Sequence, residues 1–411
     1  MGFRRRQVLT AALTANAIRP LPTYELGPLA FFSGWLTSEL APHLLAVTAA
    51  DAVTHSTSRR RDPAGLLLAG ASVAGLAFLV RQARKVQEQA EESLAEGLGV
   101  DYLDQLDPKP TPADLAVPWR RLVNPFRMRE PRVRVIKDVS FNPDYGKRGL
   151  LDIYLPADPP PDSAPVLLQI HGGAWTIGTK DQQGIPLMQH LAAKGWICVA
   201  PNYRLSPRIW WPEHIIDVKK AIAWIRENIA EYGGDPDYIA ITGGSAGGHL
   251  SALAAVTAND CDWQPGFEDV DTTVQAAIPH YGIYDFAGAT GTRRAIQFRD
   301  RFLAPRVIRK RFAKNPEVFE KASPLLRITP DAPDFFVLHG KYDTLVEVNQ
   351  ARQFVARLRE VSKRTVVYAE LPGTQHAFDV FPSIRSAHVV RAIDRYLHWH
   401  WNGYRRERAA S

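Results

Sequence analysis

The sequence predicts an α/β fold built on a mostly parallel sheet of eight strands, with helices on both faces. From about residue 130 onward, short apolar and β-branched runs alternate with amphipathic runs of helical spacing, a pattern typical of such sheets. Several of these runs lead directly into loops rich in glycine or histidine. A chain of 411 residues is long enough for one large α/β domain and an appendage.

The first 104 residues are predicted to be a membrane-associated helical region. Residues 63–80 carry no charged side chain, and eighteen helical residues at about 1.5 Å each just cross a hydrocarbon core. Residues 27–50 are also apolar but contain Glu39, and a charge in mid-membrane costs about 2.5–3.5 kcal/mol. A second span, a re-entrant segment and an interfacial helix are therefore all open for residues 27–50.

The orientation depends on how many segments span. If both do, seven basic residues lie on the side of the C-terminal domain and three in the loop, so the positive-inside rule predicts a cytoplasmic domain. The seven are Arg4, Arg5, Arg6, Arg19, Arg81, Arg84 and Lys85, and the three are Arg59, Arg60 and Arg61. If only residues 63–80 span, the near flanks carry three basic residues each and the rule gives no orientation.

The extreme N-terminus resembles a signal peptide, because basic residues precede a mildly apolar stretch ending at Ala17. Thr10, Thr14 and Asn16 interrupt that stretch, which makes it a poor apolar core for a signal. We expect the N-terminus to be retained, with cleavage as the alternative.

After a charged helix at 81–103, the proline-rich residues 107–112 predict a stiff linker. Residues 105–130 are interpreted as linker and cap contribution, and residues 131–411 as the α/β domain. Its predicted strands are 133–141, 150–155, 166–170, 197–200, 238–242, 274–278, 335–338 and 366–371, the first two as an antiparallel pair. Helices are predicted at 213–231, 246–257, 347–361 and 383–400.

Composition excludes several classes of protein. The net charge of +7 is modest, no stretch has the basic and aromatic pattern of a single-strand-binding protein, and no zinc-ligand spacing occurs, so we expect no nucleic-acid partner, metal or cofactor. The two cysteines, Cys198 and Cys261, cannot form a disulfide framework. The sequence does not indicate an oligomeric state.

One motif has the pattern of a nucleophile turn. Ser245 lies within Gly243-Gly244-Ser245-Ala246-Gly247-Gly248, between an apolar strand and a helical run. A serine on a strained strand-to-helix turn needs neighbours without side chains two positions away on each side, and Gly243 and Gly247 meet that need. A glycine-rich turn without catalytic function is the alternative for the motif alone.

Two further loops complete a catalytic pattern. Asp343 follows the strand 335–338 and His376 follows the strand 366–371, so a serine, an acid and a histidine occur in the order of α/β-hydrolases. Because parallel strands bring their carboxyl ends to one edge, these loops are expected to converge. His339 and His280 are rival bases and Asp379 is a nearby second acid, but we favour His376.

The loop His171-Gly172-Gly173-Ala174-Trp175 follows the strand 166–170 and is small enough to expose backbone N–H groups to a substrate oxygen. His171 is interpreted as a structural anchor of this loop. Trp175, Trp210 and Trp211 either line the substrate site or pack in the core.

These residues make the chain resemble the hormone-sensitive-lipase-like bacterial esterases over about residues 130–400, and its N-terminal segment resembles that of membrane-anchored actinobacterial members. Further matching residues are Tyr203-Arg204-Leu205-Ser206-Pro207, Gly233-Gly234-Asp235-Pro236 and Ala322-Ser323-Pro324-Leu325. The resemblance implies an α/β-hydrolase fold and an oxyanion hole from Gly173, Ala174 and Ala246, with Gly172 as a fourth candidate. The family usually has aspartate where this chain has Gly244, and a feruloyl-esterase- and formamidase-like branch shares that departure.

The predicted function is hydrolysis of small acyl esters or lipids through an acyl-enzyme on Ser245. The alternatives are an amidase, formamidase or feruloyl-esterase-like hydrolase with the same three residues, and a non-catalytic membrane scaffold. Residues 284–333 are not needed for the sheet and are rich in arginine. We expect them to form a helical cap over the site, together with residues 85–130.

Overall fold

The computed structural model describes residues 1–21, 24–58, 61–158 and 163–410. Eight strands within these ranges form one sheet of order β1-β2-β4-β3-β5-β6-β7-β8. They are β1 (Val133–Ser140), β2 (Leu150–Pro156), β3 (Ala164–Ile170), β4 (Ile197–Pro201), β5 (Gly234–Gly244), β6 (Ala276–His280), β7 (Asp334–Gly340) and β8 (Val366–Leu371). β2 is antiparallel to β1 and β4, and every other neighbouring pair is parallel. The predicted fold class and the antiparallel opening pair are confirmed.

Helices cover both faces of the sheet. They are α1 (Phe3–Ile18), α2 (Gly27–Glu39), α3 (Ala41–Ser56), α4 (Pro63–Leu98), α5 (Pro112–Leu115), α6 (Trp119–Leu122), α7 (Ile185–Ala192), α8 (Glu213–Asn228), α9 (Ala246–Val256), α10 (Arg293–Phe298), α11 (Pro316–Lys321), α12 (Val348–Val361) and α13 (Ile384–Ala410). α8, α9 and α12 share one apolar core, while α7, α13 and the end of α4 share the other. Because both faces are covered, β3, β4, β6 and β7 are buried at every residue, which explains their continuous apolar sequences.

The membrane-span prediction for residues 63–80 falls on the first half of α4. This helix of 36 residues runs on without a break into the charged segment, and Asp62 caps its start by accepting from the Gly65 N–H. Within the described residues, α4 is the one helix that is long and apolar enough to cross a membrane. Arg59 and Arg60, which the sequence analysis counted in the preceding loop, lie outside the described residues.

The structure argues against a second span, which is one of the three alternatives left open for residues 27–50. Two helices of 13 and 16 residues, α2 and α3, occupy the segment and meet at Leu40, with Pro42 in the first turn of α3. At about 1.5 Å per residue each is roughly 20–24 Å long, short of a hydrocarbon core. The charge of Glu39 is neutralised inside the protein by Arg385 of α13, 2.9 Å away.

The cytoplasmic orientation inferred from two spans loses its basis as well. Arg4 forms an ion pair with Asp62 at 2.7 Å, and Arg6 pairs with Asp51 at 2.7 Å. The basic residues of α1 therefore lie at the beginning of α4. Arg81, with which the two-span topology grouped them, lies about 28 Å further along that helix.

The segment after α4, which is predicted to be a linker and to contribute to a cap, contacts the loop after β8 through Phe126, whose ring lies 5.7 Å from that of Phe381, centroid to centroid. Its backbone runs beside α13 and α7, where Trp399 donates to Gln105 at 3.0 Å and the Glu130 N–H donates to Gln189 at 2.8 Å. The helix α2 also reaches the loops that follow β7 and β8, and Gln82 of α4 lies beside Gly373. Residues 284–333 fold into α10, a π-helical stretch at Arg299–Ile308, α11 and short 3₁₀ turns.

Candidate active site

Ser245 occupies a strained turn between β5 and α9. Its backbone has φ 58° and ψ −120°, a left-handed conformation that non-glycine residues seldom adopt. A Cβ at Gly243 would lie 2.5 Å from the carbonyl oxygen of Ile170, and one at Gly247 would lie 2.1 Å from the same atom. The two glycines are therefore required because β3 passes directly against the turn. Ser245 remains partly exposed between buried neighbours.

Asp343 and His376 form a buried pair. Asp343 Oδ2 lies 2.6 Å from His376 Nδ1, and its Oδ1 accepts the backbone N–H groups of Leu345 and Val346 at 2.8 Å each. Burial alone raises the pKa of Asp343, but the imidazoles of His376 and His339 outweigh it and hold the pKa well below its usual range. The carboxylate is thus ionised and fixes the ring of His376, leaving Nε2 as the reactive nitrogen.

Tyr281 connects the serine turn with the histidine loop. It follows β6, and its ring lies 4.4 Å from that of His376, centroid to centroid. A Cβ at Gly244 would lie 2.4 Å from the hydroxyl of the same tyrosine. Tyr281 therefore fills the space beside position 244, which gives a physical reason for glycine where the resembled family usually has aspartate.

The loop after β3 lies directly on the serine turn. A Cβ at Gly172 would be 2.6 Å from the Gly244 carbonyl oxygen and 3.2 Å from Ser245 Cβ. The Gly172 N–H already donates to Gln183 Oε1 at 2.7 Å, so the structure argues against Gly172 as an oxyanion donor.

The other three predicted oxyanion donors are free. Within the described chain the N–H groups of Gly173, Ala174 and Ala246 have no protein acceptor. Gly173 and Ala174 have φ values of 116° and 51°, so the loop backbone is held in a left-handed conformation. Ala246 is the first residue of α9, where the helix dipole favours a negative charge.

His171 is an anchor, as expected from the sequence. Its ring stacks on Tyr203 with centroids 4.3 Å apart, and Tyr203 donates to its carbonyl oxygen at 3.0 Å. Burial lowers the pKa of His171 to about 4, which keeps the ring neutral. Trp175 and Trp211 are core residues, packed against His249.

Of the alternative candidates named above, His280 and Asp379 pair with each other. His280 Nδ1 lies 2.5 Å from Asp379 Oδ2, and Tyr281 donates to the other oxygen of that carboxylate. His339 also lies against the acid, with its Nε2 3.3 Å from Asp343 Oδ2, although the two residues are only four apart in the sequence. The turn that follows β7 folds Asp343 back beneath it, so His339 supports the acid from a fully buried position.

Two parts of the site, α2 and Gln375, were not identified from the sequence. Phe31 of α2 meets the ring of His376 edge-on, with centroids 5.7 Å apart. The Gly27 carbonyl accepts from the Thr344 hydroxyl at 3.0 Å, next to Asp343. Gln375 Oε1 accepts the N–H groups of Thr344 and His376, which ties the acid loop to the base loop. The one sequence signal for this role of α2 was the aromatic pair Phe31-Phe32, in an apolar segment that also contains Glu39, whose charge would be costly in a membrane.

Comparisons with known proteins show the family and the fold of the chain. A family model described as BD-FAE matches residues 151–358, half of the chain. The probable carboxylic ester hydrolase LipM of Mycobacterium tuberculosis is 45% identical over 402 residues, covering 95% of this chain and 91% of LipM. Esterase LipQ of the same organism is 42% identical and covers 90% and 84%.

Esterase B of Lactobacillus rhamnosis has the same fold, with a TM-score of 0.55 at 16% identity, covering 80% of this chain and 99% of that one. The resemblance to hormone-sensitive-lipase-like esterases is confirmed, and the chain belongs to the BD-FAE family of α/β-hydrolases.

Proposed function

We propose that this chain, a carboxylic ester hydrolase like its relatives, works through Ser245, His376 and Asp343. The observation that carries the proposal is the 2.6 Å contact between an ionised, buried Asp343 and His376, beside a serine on a strained turn. Ser245 is the nucleophile, His376 the general base and then general acid, and Asp343 the residue that orients the imidazole.

The reaction proceeds in two halves. Ser245 Oγ attacks the ester carbonyl while His376 Nε2 takes its proton, and the carbonyl oxygen becomes an oxyanion held by the N–H groups of Gly173, Ala174 and Ala246. The C–O bond then breaks, and His376 returns the proton to the departing alcohol. Water, deprotonated by His376, attacks the acyl-enzyme and releases the carboxylic acid and Ser245.

The substrates we propose are small acyl esters or lipids whose apolar part lies against α2. Phe31, on the side of α2 that faces the protein, contacts the ring of His376. On the outer side of the same helix, Leu29 and Phe32 are 69% and 58% exposed. An apolar helix beside the catalytic histidine favours esters with an apolar acyl or alcohol group over charged ones.

We also propose that α4 associates the enzyme with a membrane. α1 and α3 pack along its apolar half around Leu76 and Leu79, while Leu67 and Phe78 point outward and are 77% and 43% exposed. Exposed apolar side chains around such a bundle favour lipid as its surroundings. Flotation of the full chain with vesicles, compared with a variant carrying Leu67→Glu and Phe78→Glu, tests this proposal. Equal flotation of both proteins would refute it.

The chemistry is tested on the full chain in a neutral detergent. Wild type should hydrolyse p-nitrophenyl butyrate and react with a fluorophosphonate probe, whereas Ser245→Ala should do neither and melt at the same temperature. Ser251→Ala is the matched control, since Ser251 of α9 bonds only to the Gly247 carbonyl and is fully buried. Faster turnover of the matching p-nitroanilide than of the ester would identify an amidase instead.

A further inference from the structure

A cavity whose lining contains none of the three proposed catalytic residues lies between residues 118–132, α7 and the first turns of α13. It has a volume of about 650 Å³. Seven lysine and arginine side chains line it, against two carboxylates, Asp114 and Glu130. Such an excess of positive charge in a concave site attracts anions.

The two carboxylates are already neutralised. Glu130 is bonded by Arg121 and, at 3.1 Å, by Arg132, while Asp114 pairs with Lys194 at 3.0 Å.

Four arginines around the cavity remain without a carboxylate. Arg120, Arg127, Arg129 and Arg391 form no ion pair with any described residue. Their guanidinium groups therefore offer several unshared N–H donors to one volume. The planar fork of arginine matches the oxygens of a phosphate group bidentately.

Arg391 is the deepest of the four. Its Nε is buried and has no acceptor, and its one protein bond runs from NH1 to the Ala387 carbonyl at 3.1 Å. A buried donor without an acceptor is disfavoured, and an anion in the cavity would satisfy it.

One wall of the cavity is apolar. Leu122, Val123, Met128 and Val390 contribute to it. Val123, the most exposed of them, has 77% of its surface accessible. A ligand made only of phosphate would leave this wall uncovered, whereas an amphiphile would use both the arginines and the apolar side.

The cavity lies beside the end of the apolar run of α4. Leu122 of its wall packs with Ala83 and Val80, and the Val123 carbonyl lies 3.3 Å from His43 Nε2 of α3. Val80 is the last residue before the charged half of α4 begins at Arg81. If residues 63–80 lie in a bilayer, this level corresponds to the headgroup region.

We propose that this cavity binds the phosphate group of an anionic amphiphile, with the arginines on the phosphate and the apolar wall on the chain. The phosphate site stands on the cavity and its unpaired arginines. Only the assignment to a membrane lipid rests on the proposed association of α4 with a membrane.

The test is calorimetric titration of the full chain in dodecyl maltoside with dodecyl phosphate, a probe that has no carboxylic ester to hydrolyse. Parallel titrations use inorganic phosphate and dodecylphosphocholine. We expect dodecyl phosphate to bind more tightly than either, and Arg127→Gln with Arg129→Gln to weaken it about tenfold or more, as loss of charge-assisted bonds does. Both arginines are exposed to the cavity, so the variant should fold, which its melting temperature checks.

Arg357→Gln, on the exposed side of α12, removes a matched charge elsewhere and should leave binding unchanged. Equal affinity for inorganic phosphate and dodecyl phosphate, both lost in the double variant, would support the phosphate site and assign it to a free anion. Unaltered binding in the double variant would overturn the proposal. None of these outcomes depends on ester hydrolysis or on membrane insertion, so they are independent of the tests above.

Discussion

Two histidine–aspartate pairs lie side by side at the same edge of the sheet, and they differ in what else each contacts. His376 and Asp343 are 2.6 Å apart, and His280 and Asp379 are 2.5 Å apart. Asp379 also accepts the hydroxyl of Tyr281.

The other nitrogen of each ring marks the difference. His280 Nε2 lies 3.4 Å from the Thr242 hydroxyl inside the sheet. No such bond to a described residue occupies His376 Nε2. A carboxylate partner alone therefore does not make a histidine a general base. The opposite ring nitrogen must also be free to reach the nucleophile.

The largest expected effect comes from changing the two acids in turn. Asp343→Asn should lower kcat about 10³- to 10⁴-fold, because the imidazole loses its orientation and its counter-charge. Asp379→Asn should keep most of the activity and instead lower the melting temperature. Steady-state kinetics on p-nitrophenyl butyrate and thermal melts of both variants measure this. Equal kinetic losses would mean that both pairs serve catalysis.

A smaller effect is expected where the pairs share a neighbour. Gly244→Ala places a Cβ 2.4 Å from the Tyr281 hydroxyl, and that ring contacts both His376 and Asp379. Overpacking of this kind should cost about 1–3 kcal/mol of unfolding free energy and reduce kcat. Gly403→Ala in α13, where a Cβ meets open space, is the control and should be neutral or stabilising. An unaltered Gly244→Ala enzyme would show that Tyr281 moves freely.

A still smaller effect is expected at Phe31, whose ring contacts His376 as well as Phe32 and Trp35 of its own helix. An edge-on aromatic contact contributes about 0.5–1.5 kcal/mol, so Phe31→Ala should lower kcat/KM about two- to tenfold. Phe32→Ala removes a neighbouring ring that is 58% exposed and should leave hydrolysis of a soluble ester unchanged. The same loss in both variants would mean that α2 acts only by its general apolarity.

The buried histidines and the paired carboxylates should change the free energy of unfolding over different pH ranges. Burial lowers the pKa of His214 and of His249 to about 3. The unfolded chain therefore takes up protons that the folded one does not, and stability should fall as the pH drops from about 6.5.

The pKa values of Asp343 and Asp379 are also lowered, against burial, by their histidine partners. Their contribution is present above an unfolded carboxyl pKa of about 3.9 and is lost only below it. Asp379→Asn should therefore lower the free energy of unfolding at neutral pH, and its difference from wild type should shrink as the pH falls below about 4, as urea denaturation at several pH values would reveal. A difference between variant and wild type that appears only below about pH 4, or that persists undiminished in acid, would contradict this assignment.

The sheet and the loops that carry chemistry were predictable because their signals are local. All eight strands occur near the expected residues, since buried parallel strands must be apolar and the loops after them must turn sharply. Ser245, Asp343 and His376 follow from the same logic. The contacts of Gln183, Gln375 and Tyr281 join distant loops through side chains that have no sequence motif, so pattern alone does not reveal them.

The N-terminal region was harder because its apolar composition fits a membrane and a protein core equally well. Glu39 looked like a defect in a spanning helix, and it is instead a buried partner of Arg385, which lies nearly 350 residues later. The pairing of charges that far apart is decided by tertiary packing, which a hydropathy pattern does not encode.

That ion pair has a consequence for how the enzyme can be divided. Arg385 is fully buried, bonds to Glu39 on one side and donates to the Gly373 carbonyl, the start of the histidine loop, on the other. A fragment beginning after α4 would leave this guanidinium without its counter-ion, at a cost of about 3–5 kcal/mol. Trimming the apolar helices to obtain a soluble enzyme would therefore weaken the loop that carries its base.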